Sequence, residues 1–486
     1  MKNIKSIKIL ALTIFLMGMG SACSERDFLN VDPQGQKKSE DFFVTPTHAL
    51  EAVNAIYGNL KSWDISGFSH IALTSIASDQ AIKGSVPGDA GFMDDIDMFT
   101  FTPSHGMLNG YWTGQYQGVN LCNQALDNIP NIGMDESLKS RLLAESKFVR
   151  AFHYFNLVRA FGGVPLLTRV PVDPIELNPP RASKEEVYAQ IEKDLTEAAS
   201  VLPLTYDTDN KGRATKGAAL TMLAKVALYQ EKYQEAMTYA EQVMGMSYTL
   251  VDDFNGMFRV EGELNQESIF EIAAGVYTQD CGSYCQLAEI QAPRSQFGWG
   301  FNEPTAELEN SFEDGDIRME ATILKRGETT PEGDVIKSTV PNERANQKMY
   351  VPTSVPNPCG YGYGRMQNRR VLRYAEVLLI YAEAANELGM KEKALENMNL
   401  VRERADLEPL ESSLDQAALR KAIWHEKAME LAMEDDRFFE LVRTGEAGTV
   451  LRAQGKKFVD GKHEVFAIPQ VQIDLSGGKL MQNPGY

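Results

Sequence analysis

Residues that bind metals or carry covalent chemistry are scarce in this sequence. The 486 residues include six histidines and five cysteines, and no two histidines stand four positions apart. The paired-histidine zinc helix is therefore absent, as are the G-x-S-x-G nucleophile turn and the phosphate-binding P-loop. The sequence lacks the motifs of zinc proteases, α/β-hydrolases and P-loop nucleotide enzymes.

Basic residues are also outnumbered. There are 48 lysines and arginines against 67 acidic residues, so the formal net charge is −19, and it becomes −22 without the three lysines of residues 1–22. Such an acidic surface repels phosphate, which argues against nucleic acid as a partner. It places no restriction on a neutral ligand such as a sugar.

Long apolar runs are missing except at the start of the chain. Three lysines precede an apolar run at 9–19, which is too short to span a bilayer as a helix. Small residues and then Cys23 follow it, so 1–22 is predicted to be a lipoprotein signal peptide and Cys23 the acylated residue. Gly20 stands where such signals usually have an aliphatic residue, and an ordinary signal peptide is the alternative. Residues 23–40 are polar and predict a flexible tether, so the acyl group would be the only membrane anchor.

Two helical hairpins are predicted from apolar periodicity. Residues 373–406 form two amphipathic helices separated by Gly389, a suitable helix cap because glycine adopts the left-handed conformation without steric cost. The length of ~34 residues is the period of a tetratricopeptide repeat. Residues 213–246 repeat the pattern, although two unrelated amphipathic hairpins would also produce it. The positions matched at one constant offset are Leu220 with Leu378, Ala224 with Ala382, Ala227 with Ala385, Ala236 with Ala394, and Val243 with Val401.

The remaining chain alternates between helical and irregular segments. The predicted fold is mostly α: a single domain over 41–486 with a tetratricopeptide-like helical scaffold and a few short strands. The scaffold segments are 41–60, 107–246 and 371–445, with helices at about 40–60, 107–128, 136–161, 183–200, 414–434 and 438–443. The loop-rich segments, predicted to bind ligand because binding residues concentrate in loops held by rigid elements, are 61–106 and 247–370. Strands are predicted at 269–273 and in the EVFAIP stretch at 464–469.

Two short clusters permit more than one interpretation. Cys281 and Cys285 are close enough to form a disulfide in an exported protein, with metal binding or free thiols as the alternatives. Asp94, Asp95 and Asp97 have the oxygen ligands that calcium prefers, but without an EF-hand glycine they are more typical of a solvated acidic turn.

Several stretches together resemble one known family. They are AESKFVRAFHYFNLVRAFGGVPL at 144–166, RATKGAALTMLAKVALY at 213–229, RYAEVLLIYAEA at 373–384, NLVRERA at 399–405, EKAMELAMEDDRFFELVR at 426–443, AIPQVQID at 467–474 and QNPGY at 482–486. In this order, and behind a lipoprotein-like start, they resemble the SusD/RagB lipoproteins of Bacteroidetes over nearly the whole chain. That resemblance implies a non-catalytic protein without a cofactor, anchored on the extracellular face of the outer membrane. It also implies that the protein passes oligosaccharides or other nutrients to a SusC-like TonB-dependent transporter.

The charged residues of these stretches have two interpretations. Acids alternate with arginines at helical spacing, which favours ion pairs between helices. A glycosidase would instead need two carboxylates facing a cleft. The residues concerned are Arg373, Glu376, Glu383, Glu430, Glu434, Arg437 and Arg443.

A sugar-binding surface requires a flat aromatic ring for the apolar face of a pyranose and polar side chains for its hydroxyls. Of the four tryptophans, Trp112 and Trp424 lie in amphipathic helices and are predicted to be core. Trp63 and Trp299 lie in polar or glycine-rich loops and are predicted to be binding platforms, with an inward-folded loop residue as the alternative. The further candidates are Asp79 as a hydroxyl acceptor, and Tyr277 and Tyr284 as additional stacking area.

Three functions are compatible with these features. The first is a surface-anchored glycan-binding protein that works with an outer-membrane transporter, and a member that captures peptides or other nutrients is a variant of it. The second is a glycoside hydrolase with two carboxylates in the 247–370 segment. The third is a helical scaffold that contacts the transporter and binds no glycan.

The anchor generates the first prediction. Replacing Cys23 with alanine removes the thiol that would be acylated, so we expect the Cys23→Ala protein to leave the membrane fraction on cell fractionation. Cys122→Ala, within a predicted helix, is the matched control and should stay with the membrane. Recovery of Cys23→Ala in the membrane fraction would contradict the anchor.

Overall fold

The computed structural model describes residues 42–173, 176, 178–275, 285–360, 362 and 364–486, and within them helices predominate. The helices are α1 Pro46–Leu60, α2 Trp63–Ser66, α3 Phe68–Ile71, α4 Phe92–Asp97, α5 Gly106–Asn128, α6 Glu136–Phe161, α7 Lys184–Val201, α8 Lys216–Leu228, α9 Tyr233–Met244, α10 Leu287–Gln291, α11 Ala306–Glu309, α12 Arg318–Thr322, α13 Tyr374–Glu387, α14 Lys391–Arg404, α15 Gln416–Glu430, α16 Arg437–Arg443, α17 Ala447–Ala453 and α18 Gln470–Leu475. The strands are β1 Ala81–Gly84, β2 Ser268–Ile272, β3 Phe301–Pro304, β4 Ile323–Lys325, β5 Arg344–Asn346 and β6 Arg369–Arg373. The mostly α fold predicted from the sequence is confirmed.

Both predicted hairpins are present, as α8–α9 and α13–α14. Their matched alanines are all buried, which lets the helix backbones approach closely. The chain turns between the helices through Gly389 with φ 75° and, at the same offset in the first copy, through Glu231 with φ 58°. This shared left-handed turn supports a true repeat, because a non-glycine residue rarely adopts it.

The two hairpins stack directly on each other although the whole 247–370 segment separates them in sequence. Each helix from α5 to α9 packs against the next, α9 packs against α13, and α13 packs against both α14 and α15. A capping box begins α7: Ser183 accepts a hydrogen bond from the Glu186 amide, and Glu186 accepts one from the Ser183 amide. The helices thus form one continuous scaffold.

The segment between the hairpins folds into small antiparallel ribbons. Strand β1 pairs with β3, β2 with β6, and β4 with β5. The predicted strand at 269–273 is confirmed as β2. In the β1–β3 ribbon Ala81 lies opposite Pro304, and Gly84 lies opposite Phe301.

One prediction about an irregular region was wrong, and another was incomplete. The EVFAIP stretch begins in a turn at Glu464 and pairs with no strand in the described part of the chain. Its Phe466 amide instead donates to the Ala160 carbonyl at the end of α6. The segment 61–106 was predicted to be loop-rich with short strands, and it contains strand β1, but residues 69–78 are all buried and include a π-helical turn, Ala72–Ile76. The hydrophobic side chains of 69–78 join the core.

A buried ion-pair network, here called the Glu430 network, joins the scaffold to the inserted segment. The carboxylate of Glu430 accepts hydrogen bonds from Arg373 and Arg404 of the second hairpin, and from Arg318 of α12 at 3.0 Å. Glu267, just before β2, bonds the same Arg373 at 2.9 Å. The network extends through Glu434 to Lys348 and through Glu426 to Arg402.

The electrostatics of the Glu430 network favour charged side chains throughout. Burial alone would raise the pKa of Glu430, but Arg404, Arg373 and Arg318 outweigh it and hold that pKa well below its usual value. Arg373 is held protonated in the same way, by Glu434 and Glu430. Arg443 likewise binds Glu383 at 2.7 Å, Lys225 binds Glu376 at 2.8 Å, and Arg437 binds Asp79. These charged residues therefore form ion pairs, as their spacing predicts.

Removing the charge at the centre of the Glu430 network should be costly. Glu430→Gln removes one negative charge from beside the buried guanidinium groups of Arg318, Arg373 and Arg404. We expect the unfolding free energy to fall by about 3–5 kcal/mol in denaturant titrations. The control is Glu136→Gln, which breaks an exposed pair with Lys139 and should change stability by no more than about 0.5 kcal/mol. Equal effects of the two substitutions would contradict the importance of the network.

Three histidines in the described part of the chain are buried and have a lowered pKa: His70, His153 and His463. His153 on α6 bonds Gln115 at 2.7 Å and packs against Gly118, where a Cβ would collide with the ring. Burial lowers the pKa of His153 to about 3, and burial together with Arg369 lowers the pKa of His70 to about 4, from an ordinary 6.5. The unfolded chain therefore binds more protons than the folded one below pH 6.5, and stability is lost as the pH falls through this range.

A pH series tests this assignment. Each histidine should contribute a slope of about 1.4 kcal/mol per pH unit between pH 6.5 and 4, measured as unfolding free energy in denaturant. In the His153→Gln protein the slope should be smaller by about 1.4 kcal/mol per pH unit, the contribution of one proton, whatever its stability at neutral pH. An unchanged slope would show that His153 does not titrate on unfolding in this range.

Candidate functional site

A cluster of aromatic rings lies where the early segment meets the inserted one. Trp63 and Trp299, far apart in sequence, have ring centroids 6.0 Å apart and planes inclined at 51°. Phe68 lies 4.8 Å from Trp63 and 5.8 Å from Trp299, and Phe301 supports Phe68 from below at 4.9 Å. Trp63 is 40% exposed and Trp299 is half-buried, so the two indoles reach solvent while the phenylalanines hold them.

Backbone turns set the position of each indole. Trp63 begins the short helix α2, and a Cβ at Gly67 would collide with its carbonyl oxygen. The Trp299 amide donates to the Glu289 carbonyl at 2.9 Å, and Gly300, at φ 75°, turns the chain into β3. Trp299 is therefore fixed by a tight turn and not by packing alone.

Polar side chains flank the aromatic cluster. Arg294 donates to Ser85 at 2.7 Å, to the Trp299 carbonyl at 3.3 Å, and to Asp89. The side chains of Arg294 and Asp89 are 29% and 34% exposed. Asp64, next to Trp63, is half-buried, and burial raises its pKa. The site thus combines two inclined aromatic faces with charged groups that can donate and accept hydrogen bonds.

The structure joins some of the sequence candidates and separates others. Trp63 and Trp299 come together, whereas Asp79 lies at the opposite end of β1 and accepts two hydrogen bonds of 2.8 Å from Arg437. Tyr277 and Tyr284 lie outside the described residues. Three residues of the site were not predicted from the sequence: Phe68, Arg294 and Ser85. The available signal was the pair of glycines at 298 and 300, which indicates a constrained turn at Trp299.

The other two tryptophans differ from each other. Trp112 is 4% exposed and belongs to the main core, as predicted. Trp424 was predicted to be core but is only half-buried: its Nε1 donates to Glu383 at 2.9 Å and its ring lines a cavity. The spacing of apolar neighbours on α15 did not reveal this opening.

The cysteine and aspartate clusters resolve differently from each other. Cys285 is a free, buried thiol, so the suggested bond between Cys281 and Cys285 is wrong, while Cys359 is disulfide-bonded. Asp94 lies 3.6 Å from Lys83, and Asp97 lies 2.7 Å from Lys456. Within the described residues, no three potential ligand side chains gather as a metal site would require.

The fold and the site define a helical-repeat protein that presents an aromatic surface to solvent. In the described part of the chain, none of the helices has the length and apolar character needed to cross a bilayer. Residues 266–486 match the SusD family, and residues 27–228 match a family described as starch-binding and associating with the outer membrane. The chain belongs to the SusD family.

Individual relatives agree with this assignment. A laminarin-binding SusD-like protein of known structure is 32% identical, with a TM-score of 0.80 over 91% of this chain and 100% of its own. Surface glycan-binding protein A from Bacteroides fluxus is 26% identical, with a TM-score of 0.77 over 91% of this chain and 100% of its own. SusD-like protein P2 from Formosa agariphila is 27% identical over 99% of this chain and 100% of its own.

Proposed function

We propose that this protein is a cell-surface lipoprotein that captures an oligosaccharide and passes it, chemically unchanged, to a SusC-like TonB-dependent outer-membrane transporter. The observation that carries the proposal is the convergence of Trp63 and Trp299 on one exposed surface. Each indole offers a flat apolar face for the C–H face of a pyranose. Arg294 and Asp89 lie close enough to exchange hydrogen bonds with the hydroxyls of a sugar so placed.

The ligand we favour is a glucan of the laminarin type. One relative of known structure, 32% identical to this chain, is described as laminarin-binding. The inclination of the two indoles supports the same choice, because planes at 51° match sugar faces that turn along a curved chain. A flat, ribbon-like glycan would present parallel faces and contact one indole at a time.

Binding without catalysis is favoured by the state of the nearby acids. Asp89 is held in an ion pair with Arg294. The acids of the helical stretches are likewise committed to arginines and lysines in the interior. An acyl group on Cys23 would hold the protein on the extracellular face of the outer membrane, beside the transporter.

Removing one indole should weaken binding without unfolding the protein. For Trp63→Ala we expect roughly tenfold lower affinity for laminarin, equivalent to about 1.4 kcal/mol, in calorimetric titrations. Because Trp63 is 40% exposed, the melting temperature should change little. Trp299→Ala should weaken binding as well, but its half-buried ring also packs on Phe68.

The matched control is Phe92→Ala. Phe92 is a comparably exposed aromatic, at 45%, on α4 and outside the cluster of Trp63 and Trp299. Its loss should leave laminarin affinity unchanged. Unaltered affinity in both tryptophan variants would disprove the site, and release of reducing sugar on incubation with the glucan would instead support a hydrolase.

A further inference from the structure

A second concave site lies away from the aromatic cluster. It is a cavity of about 270 Å³ between α15, α16 and α17 on one side and α11 on the other. Trp424 contributes its half-buried indole, and Leu441 and Val450 extend the apolar wall. Trp424 was predicted to be core, and of the described residues predicted to bind a glycan only Asp79 lines this cavity, so the proposed function does not use it.

The base of the cavity is a fixed polar pair. Asp79 is bound by Arg437 through two hydrogen bonds of 2.8 Å. Burial raises the pKa of Asp79, but the charge and hydrogen bonds of Arg437 outweigh it and leave that pKa below the usual value. The backbone carbonyl of Asp79 accepts from Thr305 at 3.0 Å and from Gln454 at 2.9 Å. These bonds hold the polar atoms of the base in place before any ligand arrives.

The rim supplies groups that can bind hydroxyls. Lys421 and His425 on α15 and Glu307 on α11 are exposed, and Glu446 is half-exposed. The ring of His425 lines the cavity, where partial desolvation lowers its pKa although the residue reaches solvent. The ring is therefore neutral at neutral pH and can donate one hydrogen bond and accept another. Donors and acceptors therefore surround the opening.

The charge balance disfavours an anionic ligand. Arg437 is neutralised by Asp79, and Lys427 lies 3.1 Å from Glu440. Asp436 also lines the cavity, but it is paired with Arg159 and Lys225. The charged lining residues that remain are Lys421, Glu307 and Glu446, which leaves a net negative balance. A carboxylate or phosphate would be repelled, whereas a neutral polyhydroxylated ring would not.

The cavity is separate from the aromatic cluster but tied to it. Asp79 precedes β1, whereas Gly84 at the other end of β1 lies opposite Phe301, beside Trp299. The four residues of β1, about 13 Å of strand, therefore lie between the two. The cavity volume of about 270 Å³ is just below the usual range of about 300–1,000 Å³ for ligand pockets. A space of this size suits one sugar ring better than a chain.

We infer that this cavity is a second binding site that takes a single neutral pyranose, stacked on Trp424 and hydrogen-bonded at its rim. The inference does not rest on glycan binding at Trp63 and Trp299. A site of this size would bind a monosaccharide or the end of a chain, while the open aromatic cluster would bind the interior of a chain.

Fluorine NMR on the full soluble chain labelled with 5-fluorotryptophan tests both sites at once. The four tryptophans provide four resonances, assigned with Trp63→Phe, Trp299→Phe and Trp424→Phe. On titration with glucose, the Trp424 resonance should move and saturate, and it should still do so in Trp299→Ala. With glucuronate it should move less at equal concentration. The Trp63 and Trp299 resonances report the aromatic cluster separately, so failure at one site is visible independently of the other.

A variant designed to block the cavity opening completes the test, together with its control. Ser311 is exposed on the cavity rim, and its hydroxyl donates to the carbonyl of Glu307 in the same turn. Ser311→Arg would place a long side chain across the opening. It should weaken glucose binding at Trp424 at least about tenfold, that is by about 1.4 kcal/mol. Ser200→Arg is matched, because Ser200 is exposed on α7 and also bonds a carbonyl of its own turn. It should have no effect.

Three outcomes would overturn the inference. The first is a Trp424 resonance that does not respond to glucose, and the second is a response that is equal in Ser311→Arg and Ser200→Arg. The third is a response to glucosamine, the cationic counterpart of glucose, without any response to glucose itself. That result would make the cavity a cation site.

Discussion

The cluster of charges around Glu430 is the interaction on which the rest of the structure depends. One carboxylate holds arginines from a helical hairpin and from the inserted segment, so it fixes how these two parts meet. Removing these charges from water is expensive, and the cost is recovered only when every partner is in place. An arrangement with the inserted segment shifted would leave buried guanidinium groups unpaired. The network therefore selects one docking geometry between regular and irregular parts of the chain.

The rigid frame matters because the inserted segment contains little regular structure of its own. Its ribbons are each two short strands, which are marginally stable in isolation. Anchored to the helices at Glu267 and Arg318, the segment can hold Trp299 in a constrained turn. A binding surface held in this way loses little conformational entropy when a ligand arrives. Affinity for a flexible oligosaccharide then depends on the ligand's entropy more than on the protein's.

Under the two proposals made above, the recognition of a sugar is divided between the aromatic cluster and the cavity beside Trp424. The indoles of Trp63 and Trp299 form an open, inclined pair that suits consecutive residues of a curved chain. The enclosed space beside Trp424 is closer in size to one ring. Both are lined by aromatic faces and fixed polar groups, and the β1–β3 ribbon runs between them. Membership of the SusD family is consistent with such recognition at the outer membrane.

Local periodicity determined the helices in advance, because the apolar stripe of an amphipathic helix is written in consecutive residues. The helix at 136–161 and both hairpins were predicted for this reason, and Arg–Glu spacing identified the ion-pairing residues without their partners. The EVFAIP strand was predicted wrongly, because an apolar stretch pairs as a strand only where a neighbour offers a free edge. The burial of 69–78 was missed, because a loop-rich segment can still pack into the core. Which tryptophans share a surface, and that Asp79 faces Arg437, depended on contacts between residues hundreds of positions apart. Such contacts follow from the packing of the whole chain, which is why only the tertiary structure decided them.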